Sequence, residues 1–372
     1  MKRYIFLLLI FPITLCLQAQ NLSMSTYMFR DSSVYIGELT ANRPNGKGKT
    51  VWKGGNTYEG EYIKGKRQGQ GTFTFTDGEK YVGAWFQDHQ HGRGTYYFAN
   101  NNRYEGLWYQ DYQHGLGVMY YHNGDTYEGG WVYDKREGAG TYLWKSGDRY
   151  SGLWKEDKKT GNGTFNWADG AIFTGDWKNN VRHGKGIYTY PNGDRYEGMW
   201  DNDMMDGQGV MYYADGDKFT GIYKRGERNG RGIYTMANGD RYEGMFVDGH
   251  RNGQGTEKTS AGVVYTGNWS KDKRNGQGRI TWGTGNSYEG GWQNDMYHGQ
   301  GTLILESGVR YKGEFLNGKE NGKGVRQEKD GTRYEGFFKN GVKDGPFVEF
   351  DAQGKVVRRG TYKNGYIDQQ TR

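Results

Sequence analysis

The sequence predicts an all-β protein, a linear array of about 14 to 15 stacked β-hairpins that forms one elongated, twisted antiparallel sheet. A Tyr-x-Gly or Phe-x-Gly triplet recurs every 23 residues from Tyr35 to Tyr334 without an insertion. A fixed period of this length is typical of repeat architectures. Within each repeat, aromatic residues recur at every second position, which is typical of strands. Pairs such as Asn192-Gly193 follow and favour tight hairpin turns.

The amino-terminal residues predict a secretory signal peptide over residues 1–19. A basic start precedes an apolar run at residues 4–17, and Ala19 is a small residue suited to the cleavage site. The run is shorter than the ~20 residues that a membrane-spanning helix needs. An uncleaved anchor and a lipoprotein modification at Cys16 are the alternatives. Cleavage would remove the single cysteine, and we expect a periplasmic, outer-surface or secreted protein.

The composition argues against a thick aliphatic core. The 372 residues include 65 Gly and are 16% aromatic but only 34% hydrophobic, so the aromatic side chains must supply the packing. Loss of Lys2 and Arg3 with the signal peptide would lower the formal charge from +7 to +5. This mild excess is spread along the chain, which excludes the clustered cations of a nucleic-acid-binding or polybasic membrane-binding surface.

Each repeat is described by counting from its first aromatic residue as position 0, for which Tyr196 is an example. Glycine follows at +2 (Gly198) and an aromatic residue at +4 (Trp200), so these three share one face of a strand. A second strand is predicted near +12 to +17, after a longer, charged connection at +5 to +10. Each strand glycine, including Gly209 at +13, is expected to lie beneath an aromatic ring of a neighbouring strand.

The polar residues that recur with the repeat do not form a predicted catalytic site. Glu197 at +1, close to Arg195 at −1, is an example of a charged pair that recurs along the chain. These pairs predict a solvated charge stripe on the face opposite the Tyr and Trp row. The Gly-x-Gly pairs precede no helix that could bind phosphate, and no nucleophile has a paired base. We therefore expect no enzyme, no cofactor and no metal. Four histidines stand at +10, in the predicted charged connection: His91, His114, His183 and His298. His91 and His114 are one repeat apart and would lie about 10 Å from each other, too far to share one ion.

The aromatic row is the candidate binding surface. A continuous strip of rings on one face of a single sheet must be covered by curling of the sheet, by a partner or by a second copy. Ring-on-glycine packing and a binding groove with these rings as its floor are the two interpretations. The candidate residues are Tyr104, Trp108, Tyr127, Trp131, Tyr150, Trp154, Phe173, Trp177, Tyr196 and Trp200.

The segments Tyr196–Trp200 and His183–Gly186 resemble the MORN repeat (membrane occupation and recognition nexus), whose pattern is Tyr-x-Gly-x-Trp followed by Gly-x-Gly. The resemblance covers about residues 35–351, and the segment after Gly345 is similar to a MORN variant of a bacterial toxin-neutralising family. With the predicted signal peptide, the chain resembles an exported bacterial member. The expected organisation is a signal peptide (1–19), an N-terminal cap (20–33), a sheet of 14 repeats (34–351) and a degenerate repeat with a C-terminal cap (352–372).

The resemblance implies a binding function. Relatives such as the junctophilins and the non-kinase region of plant phosphatidylinositol phosphate kinases are linked to membranes or acidic phospholipids, and cytoskeletal relatives self-associate. We expect a non-catalytic scaffold of the cell envelope that assembles proteins, with a protein partner or self-association. Attachment to acidic phospholipid is the alternative, and glycan or cell-wall binding through the aromatic face is a second one. No nucleic-acid partner is expected.

Overall fold

The structure is a computed structural model that describes residues 24–371, and the predicted signal peptide lies outside this range. Every regular element in the range is a β-strand, and none of the described residues forms a helix long and apolar enough to cross a membrane. The described part of the chain divides into two compact units, with the division between Gly138 and Ala139. The 23-residue repeat continues through both.

The first unit contains ten complete strands and the beginning of an eleventh. They are β1 (Ser25–Met28), β2 (Val34–Thr40), β3 (Arg43–Val51), β4 (Thr57–Ile63), β5 (Lys66–Thr74), β6 (Lys80–Phe86), β7 (His89–Tyr97), β8 (Arg103–Tyr109), β9 (Tyr112–Tyr120), β10 (Thr126–Val132) and β11 (Lys135–Leu143), which continues past the division.

The second unit continues with alternating seven-residue and nine-residue strands, except that its last two strands have eight and six residues. They are β12 (Arg149–Lys155), β13 (Lys158–Asn166), β14 (Ile172–Lys178), β15 (Val181–Thr189), β16 (Arg195–Asp201), β17 (Met204–Tyr212), β18 (Lys218–Lys224), β19 (Glu227–Thr235), β20 (Arg241–Val247), β21 (His250–Lys258), β22 (Val264–Ser270), β23 (Lys273–Thr281), β24 (Ser287–Gln293), β25 (Met296–Ile304), β26 (Arg310–Leu316), β27 (Lys319–Gln327), β28 (Arg333–Lys339), β29 (Val342–Phe350), β30 (Val356–Lys363) and β31 (Tyr366–Thr371).

Consecutive strands pair in antiparallel fashion within each unit, as a meander does. In the repeat that begins at Tyr196, β16 pairs with β15 before it and with β17 after it. Tyr196 lies opposite Tyr188 on one side and Met211 on the other, and Gly198 lies between two other glycines. The structure thus confirms the all-β class and the stacked antiparallel hairpins.

The hairpin inside each repeat is tighter than the sequence analysis predicted. β16 ends at Asp201 and β17 begins at Met204, so only Asn202 and Asp203 form the turn. Their φ angles of 48° and 66° are both positive, as a type I′ turn requires. The predicted long connection at +5 to +10 is therefore wrong. Asn and Asp tolerate this left-handed conformation, which allows the second strand to begin at +8.

A β-bulge follows the turn. It explains why the charged residues after the turn lie in a strand and not in a loop. The register between β16 and β17 shifts between Gly198 and Trp200, and Gly207 at +11 has a φ of +103°. This positive φ accommodates the extra residues on the longer strand. The four histidines at +10 accordingly lie in strands β7, β9, β15 and β25, and their predicted place in a turn is wrong.

The turn between repeats matches its prediction. In the turn after β17, the Tyr213 amide donates to the Asp217 carbonyl at 2.9 Å and the Gly216 amide donates to the Tyr213 carbonyl at 3.0 Å. Gly216 has a φ of +97°, which an L side chain rarely adopts. The Asp-Gly and Asn-Gly pairs therefore close the connection from one repeat to the next.

The core is built from tyrosine rings that lie directly on glycine backbone. A Cβ atom at Gly198 or at Gly209 would meet the Tyr196 ring far inside the 3.0 Å that real Cβ atoms keep. The ring thus covers the glycine two residues ahead on its own strand as well as the paired glycine on the next strand. The sequence predicted only a ring from a neighbouring strand. Alternation explains the difference, because residues two apart on a strand share a face.

Replacing Gly209 with alanine tests this contact. We expect Gly209→Ala to lower the free energy of unfolding by about 1–3 kcal/mol, because the new methyl group must displace the buried Tyr196 ring. Urea denaturation followed by tryptophan fluorescence measures the effect. Gly283→Ala is the matched control, because its nearest non-neighbouring atom is the Ala261 carbonyl oxygen at 3.7 Å. Equal effects of the two substitutions would contradict the ring-on-glycine explanation.

Candidate functional site

The ten aromatic residues predicted as a binding surface lie in the core of the sheet. Each is at most 6% exposed: Tyr104, Trp108, Tyr127, Trp131, Tyr150, Trp154, Phe173, Trp177, Tyr196 and Trp200. The rings at position 0 are completely covered by the chain itself. Direct contact of this row with a ligand stays a prediction, but so little exposed ring surface disfavours it. We call the side of the sheet that carries these rings the inner face.

Hydrogen bonds tie the inner rings to backbone carbonyl groups. The Tyr196 hydroxyl donates to the carbonyl oxygen of Met199 at 3.0 Å, and the Trp200 indole N–H donates to that of Gly186 in the preceding repeat at 3.3 Å. The two rings meet edge to face at a centroid distance of 5.3 Å. Burial raises the pKa of the Tyr196 hydroxyl, so this group stays a neutral donor. These polar atoms therefore stabilise the sheet.

A row of cations covers the inner rings. The Arg182 guanidinium lies 4.4 Å from the Trp200 ring centroid, and the Lys159 ammonium lies 4.1 Å from that of Trp177. Each such contact contributes roughly 0.5–2 kcal/mol. This role of position +9 was not predicted from the sequence. The signal was present, because Lys or Arg occupies +9 in eight repeats: Arg67, Arg136, Lys159, Arg182, Arg228, Arg251, Arg274 and Lys343.

An aspartate in the following type I′ turn fastens the +9 residue in place. The Asp203 carboxylate accepts the backbone N–H of Arg182 at 2.9 Å and also its side-chain Nε–H at 3.1 Å. The Asp203 amide donates to the Arg182 carbonyl at 3.1 Å. Asn180 accepts the backbone N–H of Lys159 at 2.8 Å in the equivalent place. Each turn is thereby bonded to the repeat before it.

The opposite side of the sheet, which we call the outer face, carries the charge stripe that the sequence predicts. Arg241 at −1 donates to the carboxylate of Glu243 at +1 at 2.7 Å, and both side chains are more than one-third exposed. Arg333 and Glu335 repeat the contact at 2.9 Å. Exposed pairs of this kind contribute little to stability but keep the face soluble.

The first unit carries a second, exposed aromatic row on its outer face. We define the outer aromatic row as Phe86, His91, Tyr109, His114 and Tyr133. Successive ring centroids along it are 5.6, 5.6, 5.6 and 5.3 Å apart. Phe86, Tyr109 and Tyr133 are 48%, 40% and 55% exposed. This row therefore offers ring surface that the inner face does not.

Strand ends position the outer aromatic row. Phe86 and Tyr109 stand at +5, the last residue of β6 and β8, where alternation directs side chains to the outer face. The bulge allows the histidine at +10 of each repeat to fit between consecutive +5 rings. This row was not predicted from the sequence, although its signal, aromatic residues at +5 in two consecutive repeats, was present. In the second unit, +5 carries charges such as Lys155, Lys178 and Lys224.

A trough lies on the same outer face of the first unit. It has a volume of about 880 Å³ and is lined by apolar side chains including Ile36, Val51 and Val82. Its charged lining is mixed, with the Lys49 ammonium 3.9 Å from the Glu59 carboxylate. Strand β6 contributes Val82 to the trough and Phe86 to the outer aromatic row. The two features are therefore adjacent on one face.

The described residues contain no group of three or more His, Cys, Asp or Glu side chains that could hold a metal ion. The His89 Nδ1 atom instead lies 2.5 Å from the Asp111 carboxylate, and His91 packs between Phe86 and Tyr109. These contacts are pairwise, whereas a structural zinc site needs about four ligands around one ion.

The arrangement defines a class of protein, a β-hairpin repeat protein. The MORN repeat family model matches residues 35–57, 58–80, 81–103, 104–126, 127–149, 150–172, 173–195, 196–218, 219–241, 242–263, 265–287, 288–310, 311–333 and 334–346. The chain therefore belongs to the MORN repeat family. No curated protein sequence matches the chain.

Solved structures give only weak similarities. The TCP domain of Drosophila melanogaster SAS-4 in complex with a proline-rich motif of Ana2 shares 17% identity over 47% of this chain and 88% of its own, at a TM-score of 0.28. The TCP10 domain of Danio rerio CPAP shares 12% identity over 67% and 95%, at 0.19. The virginiamycin B lyase of Staphylococcus aureus shares 11% over 71% and 93%, at 0.13. TM-scores this low do not establish a common fold.

Lys159, whose ammonium lies among inner rings, provides a test of the row of cations at +9. Burial lowers the pKa of its ammonium from 10.5 to about 8. Between these values the unfolded chain binds more protons than the folded chain, so the free energy of unfolding rises with pH. We expect wild type to gain about 1–2 kcal/mol over Lys159→Arg between about pH 7.5 and about pH 9.5.

The Lys159→Arg variant is a matched reference because arginine occupies +9 in the repeats around it and does not titrate in this range. Urea denaturation of both proteins at a series of pH values measures the difference, and the contribution of all other groups cancels. Parallel curves for the two proteins would show that the ammonium is not buried among the rings.

Proposed function

We propose that this MORN-repeat protein is a non-catalytic scaffold that binds and assembles other proteins through the outer face of its first unit. The observation that supports the proposal is the outer aromatic row, whose Phe86, Tyr109 and Tyr133 rings are about half-exposed. Half-exposed aromatic side chains grouped on one face are typical of interaction surfaces. In this proposal the chain is exported by its signal peptide and acts in a bacterial cell envelope.

The inner face supports the same proposal by supplying rigidity. Its rings, glycines and +9 cations are engaged with one another, so the outer side chains stand on a backbone that does not need to rearrange on binding. A preorganised surface loses less conformational freedom when a partner binds. The repeat thus contributes the support, and the exposed side chains contribute the recognition.

Binding to acidic phospholipid is less well supported. An anionic surface attracts clustered cations, each worth about 1 kcal/mol near the membrane. Here Arg241 and Arg333 on the outer face are paired with Glu243 and Glu335. Six of the eight +9 cations lie 4.1 to 4.7 Å from the centroids of inner rings, which leaves them little access to lipid: Arg67, Lys159, Arg182, Arg251, Arg274 and Lys343.

A triple substitution tests the proposed function. We expect Phe86→Ser, Tyr109→Ser and Tyr133→Ser together to abolish co-purification of partner proteins from the native cell envelope, because the exposed rings are the contact surface. Thermal unfolding should change little, since half-exposed side chains contribute little to the core. Quantitative affinity purification of wild type and variant, with identification of the co-purifying proteins, measures the loss.

A second triple variant is the matched control. Leu316→Ser, Phe337→Ser and Tyr366→Ser remove three exposed apolar residues of the second unit, none of which belongs to the outer face of the first unit. This control should retain the partners. Flotation with anionic vesicles and retention on polysaccharide are run in parallel. Salt-sensitive flotation, or specific glycan retention that depends on the row, would contradict the protein-binding proposal.

A further inference from the structure

The first strand of the array leaves one edge of the sheet open. Among the described residues, β1 (Ser25–Met28) pairs with β2 and with no other strand. The Phe29 amide donates to the Ser33 carbonyl at 2.9 Å, so the backbone groups of Phe29 face the β2 side. Backbone groups point alternately to the two sides of a strand. Those of Thr26 and Met28 therefore face the open edge, where a further strand could pair with them.

This edge lacks the features by which sheets usually avoid pairing with another chain, such as charges, prolines and irregular register. β1 contains no charged residue and no proline, and its register with β2 continues without a shift. The last strand, β31, differs, because it carries Asp368 and its register with β30 shifts between Thr361 and Tyr362. Of the two terminal strands, β1 is the one suited to edge pairing.

The aromatic strand that begins each repeat does not fit against this edge. Ser25 stands at +13 when the positions are counted in the repeat before Tyr35. In the repeat that begins at Tyr196, the residue at +13 is Gly209, and a Cβ atom there would collide with the Tyr196 ring. Ser25 carries such a Cβ atom. The strand that pairs with β1 must therefore lack an aromatic ring at that place.

The sequence around Thr26 is complementary to itself when its direction is reversed. Met24 and Met28 flank Thr26 on the outer face and are 79% and 68% exposed. Ser25 and Tyr27 flank it on the inner face, one small and one large. In an antiparallel pair centred on Thr26, Met24 of one copy lies opposite Met28 of the other. Ser25 likewise lies opposite Tyr27, so that a small residue meets a large one.

An exposed apolar surface continues to the same edge. Met24 lines the trough of the outer face together with Ile36, Val51 and Val82. Ile36 and Val51 are 47% and 42% exposed. Exposed apolar side chains that are contiguous typically mark an interaction surface. A strand added beside β1 would cover the methionine end of this surface.

We propose that two copies of the protein join edge to edge through β1, as an antiparallel pair with its two-fold axis at Thr26. The Thr26 amide of each copy donates to the Thr26 carbonyl of the other, and the two Met24–Met28 pairs pack on the outer face. A contact of this kind uses the same surface on both copies and closes at the dimer. The inference does not depend on the outer aromatic row.

Thr26→Pro tests the backbone contact. Proline removes an N–H group that faces the open edge, and the hydrogen bonds from β1 to β2 remain. Sedimentation equilibrium of the purified protein over a range of concentrations measures dimer formation. We expect wild type to dimerise with a Kd of about 1–100 μM, as suits a short interface. The proline variant should dimerise at least about tenfold more weakly.

Opposite charges at Thr26 provide a matched control for folding. In Thr26→Lys, two ammonium groups would face each other across the axis, and in Thr26→Glu two carboxylates would do so. Like charges directly opposite each other destabilise a strand pair, so each variant alone should be monomeric. Mixing the two variants should restore a dimer that contains one copy of each, which native mass spectrometry identifies. Such restoration would show that both variants retain a competent β1.

Ile367→Lys places the same charge on β31 and should dimerise like wild type. A wild-type protein that stays monomeric at every concentration would overturn the inference, and so would a dimer that Thr26→Pro leaves unchanged. Failure of the mixed charge variants to associate would also contradict pairing at Thr26. Partner capture by the outer aromatic row is measured separately in the same proteins. Loss of capture with an intact dimer, or the reverse, therefore distinguishes failure of the proposed function from failure of this inference.

Discussion

The contact between a tyrosine ring and two glycines is the constraint on which the rest of the structure depends. Tyr196 lies on Gly198 and Gly209, where even a methyl group would collide with the ring. A single-layered sheet has no second layer to cover its apolar residues, and the ring takes that place by lying flat on its own backbone. The glycines weaken the strands by themselves, and the buried aromatic surface compensates for this.

The contacts between repeats follow from the same arrangement. Because the ring at position 0 occupies the glycines, Trp200 at +4 reaches the preceding repeat and donates to the Gly186 carbonyl at 3.3 Å. The Arg182 guanidinium then covers that indole, and Asp203 in the next turn fastens the arginine at 3.1 Å. Each repeat is therefore completed by the one that follows it, as in other linear repeat proteins in which neighbours supply most of the stability.

The sequence predicts the parts of this structure that repeat exactly. The period, the two strands, the Asn-Gly and Asp-Gly turns and the alternation at Tyr196, Gly198 and Trp200 are local patterns, and each is found in the structure. The long connection was predicted wrongly because residues such as Asn202 and Asp203 read as a charged loop, whereas their left-handed conformation makes a two-residue turn. The burial of the candidate rings depends on contacts between repeats, such as that of Arg182 with Trp200 of the next repeat, which the pattern within one repeat does not contain.

The outer aromatic row was harder to recognise for a different reason. Phe86 and Tyr109 depart from the repeat, and a pattern search averages such departures away. Their grouping depends on the strand register. The register places the ring at +10 between the +5 ring of its own repeat and the +5 ring of the following repeat. A residue that constructs the sheet must recur in each repeat, whereas Phe86 and Tyr109 are found where the recurrence fails.

The fastening of each turn to the repeat before it also bears on how the chain is made. The bond from Arg182 to Asp203 joins residues 21 positions apart, and the bond from Trp200 to Gly186 joins residues 14 apart. Contacts this short in sequence favour rapid folding, and synthesis proceeds from the amino end. A repeat can therefore close once little more than one further repeat of chain is available to it, and the array can be assembled progressively from its amino end.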